Sequence, residues 1–328
     1  MSKTSKAIAI VGAGRLARAV GLVLDAGGHD IRLLARNTAQ QKALHGLLRH
    51  AVACTSWEEA CRELDLLFLA VPTAALPEVC ALYAPYARGD QVVLHACRGV
   101  GPGFLLPHAI VRSHTCVKQI GVLGGPLYFE EVEQGHPLTA VVASRFDTVP
   151  ALVRDLTHGT IVHTYPSRDL VGVEVAGAVS NVGLLAAGMA DTLGLGDTAR
   201  GLLLTQSLAE ATQLGLALGA TAETFTGLAG VGDLIPRRVS SRRHHVEAGR
   251  ALAESDLAME HRCRLATFEG AVTALAARDF AQQRGLDLPL MRAVSAVVAG
   301  ERTPEVALED VLRRDLSLAM ATHAGSVR

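Results

Sequence analysis

Gly12-Ala13-Gly14-Arg15-Leu16-Ala17 is a spacing of small residues suited to holding a phosphate. In such a Gly-x-Gly-x-x-Ala turn the first glycine makes a tight bend and the second lets the backbone approach a pyrophosphate. The alanine packs the following helix close to its sheet. N–H groups at the helix start, with the positive end of its dipole, then stabilise the anion. A second position selects the dinucleotide. The segment Leu34-Ala35-Arg36-Asn37 lacks the carboxylate that would bond ribose hydroxyls and repel a 2′-phosphate. Arg36 can pair with that phosphate, so NADP is the expected cofactor. NAD is the alternative, with Arg36 stacking on adenine. A third feature is the run from Arg237 to His245, which holds Arg237, Arg238, Arg242, Arg243, His244 and His245. It is either a solvated charged face or an anion site. Adjacent histidines on a helix cannot both face one ion and no third ligand is evident, so no metal site is expected.

These groups need elements to position them. Ala7–Val11 is a short continuous apolar run, as expected of a strand buried on both faces. The glycine turn follows it, then a helical pattern through Leu24 that Gly27-Gly28 ends, then a strand at Asp30–Leu34. This strand–turn–helix–strand order is the context the glycine motif requires. Further strands are expected at 66–71, 91–94 and 117–123, with 141–144 and 160–163 as outer strands of the same sheet. After about Asp169 alanine- and leucine-rich segments of helical period take over. The expected organisation is an α/β domain over 1–167, built on a doubly wound parallel sheet, and an all-α domain over 168–328.

Composition narrows the function classes. Hydrophobic residues make up 49 % and charged residues 19 % of the 328, which describes a globular chain able to bury a large core. A net charge of −1 gives no general pull toward nucleic acid or anionic lipid. The six cysteines show no Cys-x-x-Cys pairing and read as reduced thiols of a cytoplasmic protein. No charged-then-apolar leader is seen, and no uncharged apolar run approaches the roughly 20 residues of a membrane span. Lysine occurs only at positions 3, 6, 42 and 118, so the second half offers arginine but no lysine for chemistry.

Several motifs together resemble the NAD(P)-dependent glycerol-3-phosphate dehydrogenase family. Gly172-Val-Glu-Val-Ala-Gly-Ala-Val-Ser180-Asn181-Val182 is similar to the family's Gly-Val-Glu-Leu-Gly-Gly-Ala-Leu-Lys-Asn-Val, and Gly227-Leu-Ala-Gly-Val-Gly-Asp233-Leu234 follows downstream. Ala70-Val71-Pro72-Thr73, Cys97-Arg98-Gly99, Gly124-Gly125-Pro126-Leu127-Tyr128-Phe129, Gly194-Leu-Gly-Asp197 and Phe268-Glu269-Gly270 match other family segments. The resemblance implies a Rossmann-type first domain, a helical substrate domain and hydride transfer involving a small anionic hydroxy/keto compound such as glycerol 3-phosphate or dihydroxyacetone phosphate.

It also implies site residues. Catalysis would fall to Ser180, Asn181, Asp233 and Arg98. The cofactor would meet Gly12, Gly14, Arg15, Leu16, Arg36 and Arg98, then Phe129, His244, Thr267 and Glu269. Substrate contacts would come from Arg98, Gly125, Leu127 and Asp233, and from Arg243, His244 and His245. The chain departs from the pattern at the site itself. Ser180 stands where the family has its catalytic lysine, Arg98 replaces a lysine, Leu127 replaces a hydroxyl residue, and the Arg237–His245 run replaces the family's phosphate-binding stretch. The glycines at 172, 177, 188, 230, 232 and 249 are kept. Altered site residues on a kept scaffold favour a changed substrate over decay. The competing expectation is a dinucleotide-binding sensor or interaction protein without turnover. The expected partner is a small anionic substrate, with a homodimer left open.

Overall fold

The computed structural model describes residues 5–235, 240–254 and 267–314. Contacts divide it into two units. The first comprises residues 1–98 and 105–174, the second 99–104 and 175–328.

In the first unit eight strands form one sheet in the order β3-β2-β1-β4-β5-β6-β7-β8. They are β1 Ala7–Val11, β2 Asp30–Leu34, β3 Ala51–Ala53, β4 Leu66–Leu69, β5 Val92–His95, β6 Gln119–Gly124, β7 Leu138–Ser144 and β8 Val162–Ser167. Helix α1 (Arg15–Ala26) joins β1 to β2, and α2 (Thr38–His45), α3 (Trp57–Cys61), α4 (Leu76–Tyr83) and α5 (Pro107–His114) fill later crossovers. Short α6 (Phe129–Glu133) precedes β7, and α7 (Thr148–Thr157) precedes β8. The continuous apolar strands follow from burial on both faces. Ile8, Ile10, Phe68 and Leu94 enter one core, while Ala9, Val11, Leu67 and Val93 enter the other.

The sheet departs from the expected all-parallel arrangement at one place, because β6 and β7 pair antiparallel. Two further differences have local causes. β3 is three residues long, too short to show any period. β8 runs later than expected and includes Pro166, which an edge strand tolerates because its free side needs no N–H donor.

The second unit is helical. It contains most of α8 (Leu170–Thr192), then α9 (Gly196–Ala217), α10 (Ala222–Thr226), α11 (Val231–Leu234) and α12 (Ser240–Leu252). After these come α13 (Glu269–Arg284), α14 (Pro289–Val298) and α15 (Pro304–Leu312). Helix α8 is long and apolar enough to cross a bilayer, but its apolar window is wholly buried in protein, the mark of a core helix. Its first turn belongs with the sheet, because Glu174 bonds His108 of α5 and Val173 lies against Gly124.

Two glycines let α8 and α12 touch backbone to backbone. A Cβ on Gly188 would lie 2.1 Å from the Val246 carbonyl oxygen, and one on Gly249 would lie 2.1 Å from that of Leu185. Their retention in the sequence is a packing requirement.

Candidate active site

The glycine turn of the first unit has the geometry its spacing calls for. Gly12 has φ +115°, and a Cβ there would sit 2.4 Å from the Ala70 carbonyl oxygen, so no other residue fits. A Cβ on Gly14 would meet nothing within 4 Å, so the backbone faces open space where a phosphate can approach. Gly14 is the N-cap of α1, and no side chain caps that end or places an acid in its first turn. The orphan N–H groups of a twelve-residue helix are thus open to solvent or to an anionic ligand. This cradle fits a dinucleotide pyrophosphate. Ala17 is fully buried beneath it, and Leu16 packs against the same core. Arg15 is exposed and lies 3.5 Å from Glu130 of α6. Arg36, just past β2, is exposed and makes no ion pair with a described residue, while its neighbour Asn37 caps α2 by accepting from the Gln40 N–H.

Arg98 sits three residues beyond β5, at the carboxyl ends of the strands where such sheets bind ligands. Its Nη1 donates to the Gly125 carbonyl at 3.4 Å, which brings together two segments matched separately in the sequence. Gly125 has φ +87° and Leu127 beside it is buried. The Cys97 thiol donates to the Val71 carbonyl at 3.3 Å. Sequence reasoning missed a cluster beneath this loop. His95, Glu174 and His108 are joined at 2.6–2.9 Å with His95 and Glu174 almost fully buried. The signal was present: Glu174 is a lone acid in an otherwise apolar stretch of α8, and a buried charge demands partners. Burial pushes its carboxyl up, but the hydrogen bonds from His108 and His95 outweigh that and hold it below the ordinary value.

In the second unit Ser180 and Asn181 lie on α8, both buried. The Ser180 hydroxyl is 3.1 Å from Asp233 Oδ2 on α11 and 2.9 Å from the Gly177 carbonyl, and donates to one of them at a time. The start of α13 is packed onto the same place, since a Cβ on Gly270 would lie 2.8 Å from the Asn181 carbonyl oxygen. Glu269 is the first residue of α13 and Thr267 is exposed just before it. The rings of His244 and His245 lie 4.2 Å apart, and each is 6.1 Å from Phe268. His244 is exposed and His245 buried. Four stretches of sequence thus meet in this unit. Arg237 and Arg238 lie outside the described residues, as do the side chains of Phe129, Arg242 and Arg243. Among the described residues no cluster of His, Cys, Asp and Glu could hold a metal ion. The thiols of Cys61 and Cys80 are pushed up by burial to about 11 and about 12, which makes them inert rather than nucleophilic.

Comparison with known proteins identifies the family. Residues 7–149 match the family model described as NAD-dependent glycerol-3-phosphate dehydrogenase N-terminus, and residues 169–309 match the corresponding C-terminus. The chain is 32 % identical to glycerol-3-phosphate dehydrogenase [NAD(P)+] of Shouchella clausii, over 94 % of this chain and 96 % of that one. It is 34 % identical to the protein of the same name from Streptomyces coelicolor, over 96 % and 98 %. The crystal structure of glycerol-3-phosphate dehydrogenase from Coxiella burnetii superposes with a TM-score of 0.85 at 25 % identity, covering 94 % of this chain and 99 % of that one.

Proposed function

Because the chain belongs to the NAD-dependent glycerol-3-phosphate dehydrogenase family, we propose that it is a nicotinamide-dependent oxidoreductase for a small anionic hydroxy/keto compound, of the glycerol 3-phosphate and dihydroxyacetone phosphate type. The observation that carries the reading is the uncapped α1 N-terminus behind Gly12 and Gly14, a cradle suited to an anionic ligand. When bound, the nicotinamide supplies or accepts the hydride.

The chain's own residues do the rest. The N–H groups of α1 hold the pyrophosphate, and Arg36 bonds a 2′-phosphate, so NADP is preferred over NAD. Arg98 anchors or polarises the substrate. Ser180 and Asp233 handle the proton. As an alcohol is oxidised, its hydroxyl proton passes to Ser180 Oγ while the serine proton passes to the Asp233 carboxylate 3.1 Å away. In the reverse direction the same relay protonates the carbonyl oxygen. Asn181 orients the substrate, and Arg243, His244 and His245 hold its anionic end.

Ser180 in place of a lysine favours a slow catalyst. A general acid/base contributes roughly 10²–10⁴-fold, and its loss leaves the benefit of proximity intact. The test is fluorescence titration with NADPH and NADH, followed by an assay of dihydroxyacetone phosphate reduction. Dinucleotide binding with slow, saturable turnover is the expected result. Binding without oxidation or reduction of any small anionic hydroxy/keto compound would establish the sensor reading instead.

A further inference from the structure

We infer that Glu174 and His95 are positioning residues that hold Arg98 in place through the backbone of Cys97. The inference rests on the reading of Arg98 as an anion contact.

Glu174 bridges both ends of the connection from β5 to α5, the segment that carries Arg98. At one end its Oε1 is 2.9 Å from Nε2 of His95, the last residue of β5. At the other end its Oε2 is 2.6 Å from Nδ1 of His108, whose backbone N–H donates to Oε1 at 2.8 Å. His95 passes the constraint on, because its Nδ1 accepts the Cys97 N–H at 3.3 Å. That acceptance requires the imidazole proton on Nε2, the nitrogen 2.9 Å from the carboxylate. Cys97 precedes Arg98, whose guanidinium reaches the Gly125 carbonyl. The loop is therefore pinned from below by the carboxylate and from the side by β6.

A structural role alone does not call for this chemistry. His95 and Glu174 are both buried, and apolar residues of their size would fill the site without desolvating a carboxylate. Replacing a buried pair by well-packed apolar groups is often neutral or stabilising. Directional hydrogen bonds supply what apolar packing lacks, a fixed loop conformation and hence a fixed guanidinium.

The experiment is a double-mutant cycle read by calorimetric binding of dihydroxyacetone phosphate to the NADPH-saturated protein, with melting temperature recorded for every variant. Arg98→Ala should weaken binding roughly tenfold or more, the scale of a hydrogen bond to a charged group. His95→Leu should weaken it comparably while the protein still melts cooperatively. In the Arg98→Ala background His95→Leu should add almost nothing, because both act on one group. His95→Asn keeps an acceptor at the Nδ1 position but loses the contact with Glu174, so it should recover binding only in part, to a level between His95→Leu and wild type. If His95→Leu does not fold, His95→Gln, which lacks that acceptor, takes its place in the cycle. Independent, multiplying losses, or wild-type binding by the His95 variant beside a weakened Arg98→Ala, would overturn the positioning role. Wild-type binding by Arg98→Ala itself would remove the reading of Arg98, and this inference with it.

Discussion

Two side chains decide most of what this protein can do, and each admits a single-residue test. Arg36 stands exposed at the end of β2 where a carboxylate would exclude NADP. Arg36→Ala should therefore weaken NADPH binding roughly tenfold, consistent with one lost charge-assisted contact, and leave NADH binding nearly unchanged. A tenfold preference for NADH in the wild type, insensitive to the substitution, would contradict this. Ser180 is the second. Its hydroxyl contacts Asp233 and the residue is 3 % exposed, so the group proposed to move protons is short and buried. With glycerol 3-phosphate the protein should turn over at least about a hundredfold more slowly than a lysine-bearing homologue. Ser180→Lys would place an ammonium beside the Asp233 carboxylate, yet only partial recovery is expected. The added side chain must fit a packed helix, and Leu127 and the residues after Asp233 also differ from the family. Efficient turnover by the unmodified protein would show that the Ser180–Asp233 relay already suffices.

At the scale of elements, the crossing of α8 and α12 is the joint on which the proposed anion contacts of α12 depend. Helix α12 carries His244 and His245, and its seat on α8 is fixed where Gly188 and Gly249 allow backbone contact. Gly249→Ala forces a methyl to within 2.1 Å of the Leu185 carbonyl oxygen, so the helices must separate. Chemical denaturation should show a loss of about 1–3 kcal/mol, the range of overpacked cores. Phosphate binding should weaken with it, because the histidines move with their helix. A variant with native stability and native phosphate affinity would mean the crossing yields without strain. Substituting Gly14, whose Cβ would meet open space, should spare stability and reduce dinucleotide affinity.

For the whole molecule, two buried acids give stability opposite pH dependences. Glu210 is fully buried on α9 and caps α14. Its Oε1 accepts from the Leu290 N–H at 2.6 Å and from Gln206 Nε2 at 2.8 Å, and its Oε2 from the Met291 N–H at 2.9 Å. Burial still pushes its pKa up, from 4.5 to about 7. A raised acid pKa means the folded state holds a proton that the unfolded state has released. Its contribution is fully present below 4.5 and is lost as pH rises through about 7. Glu174 has the opposite sign. Its lowered pKa contributes stability above 4.5 that is lost as pH falls through its folded value. Urea unfolding should show Glu210→Gln destabilised by about 1–3 kcal/mol near pH 5, because one N–H loses its acceptor. The gap to wild type should narrow toward pH 8. A gap that widened with pH would reverse the assignment.

What the sequence determined by itself was local. The β1–turn–α1–β2 unit, the character change after Asp169 and the cofactor cradle were legible because strand burial, helical period and glycine punctuation act over a few neighbouring residues. The motifs also pointed to the family, since each is a short string. What only the tertiary structure decided involves residues far apart in the chain. Ser180 and Asp233 are 53 residues apart, Glu174 and His108 are 66 apart, and neither pairing leaves a periodic trace. The antiparallel turn of β7 was illegible for the same reason, because a buried apolar run reads alike in both directions. A lone Glu in an apolar helix announced that it needed partners. Only packing could show that those partners are two histidines beneath the Arg98 loop.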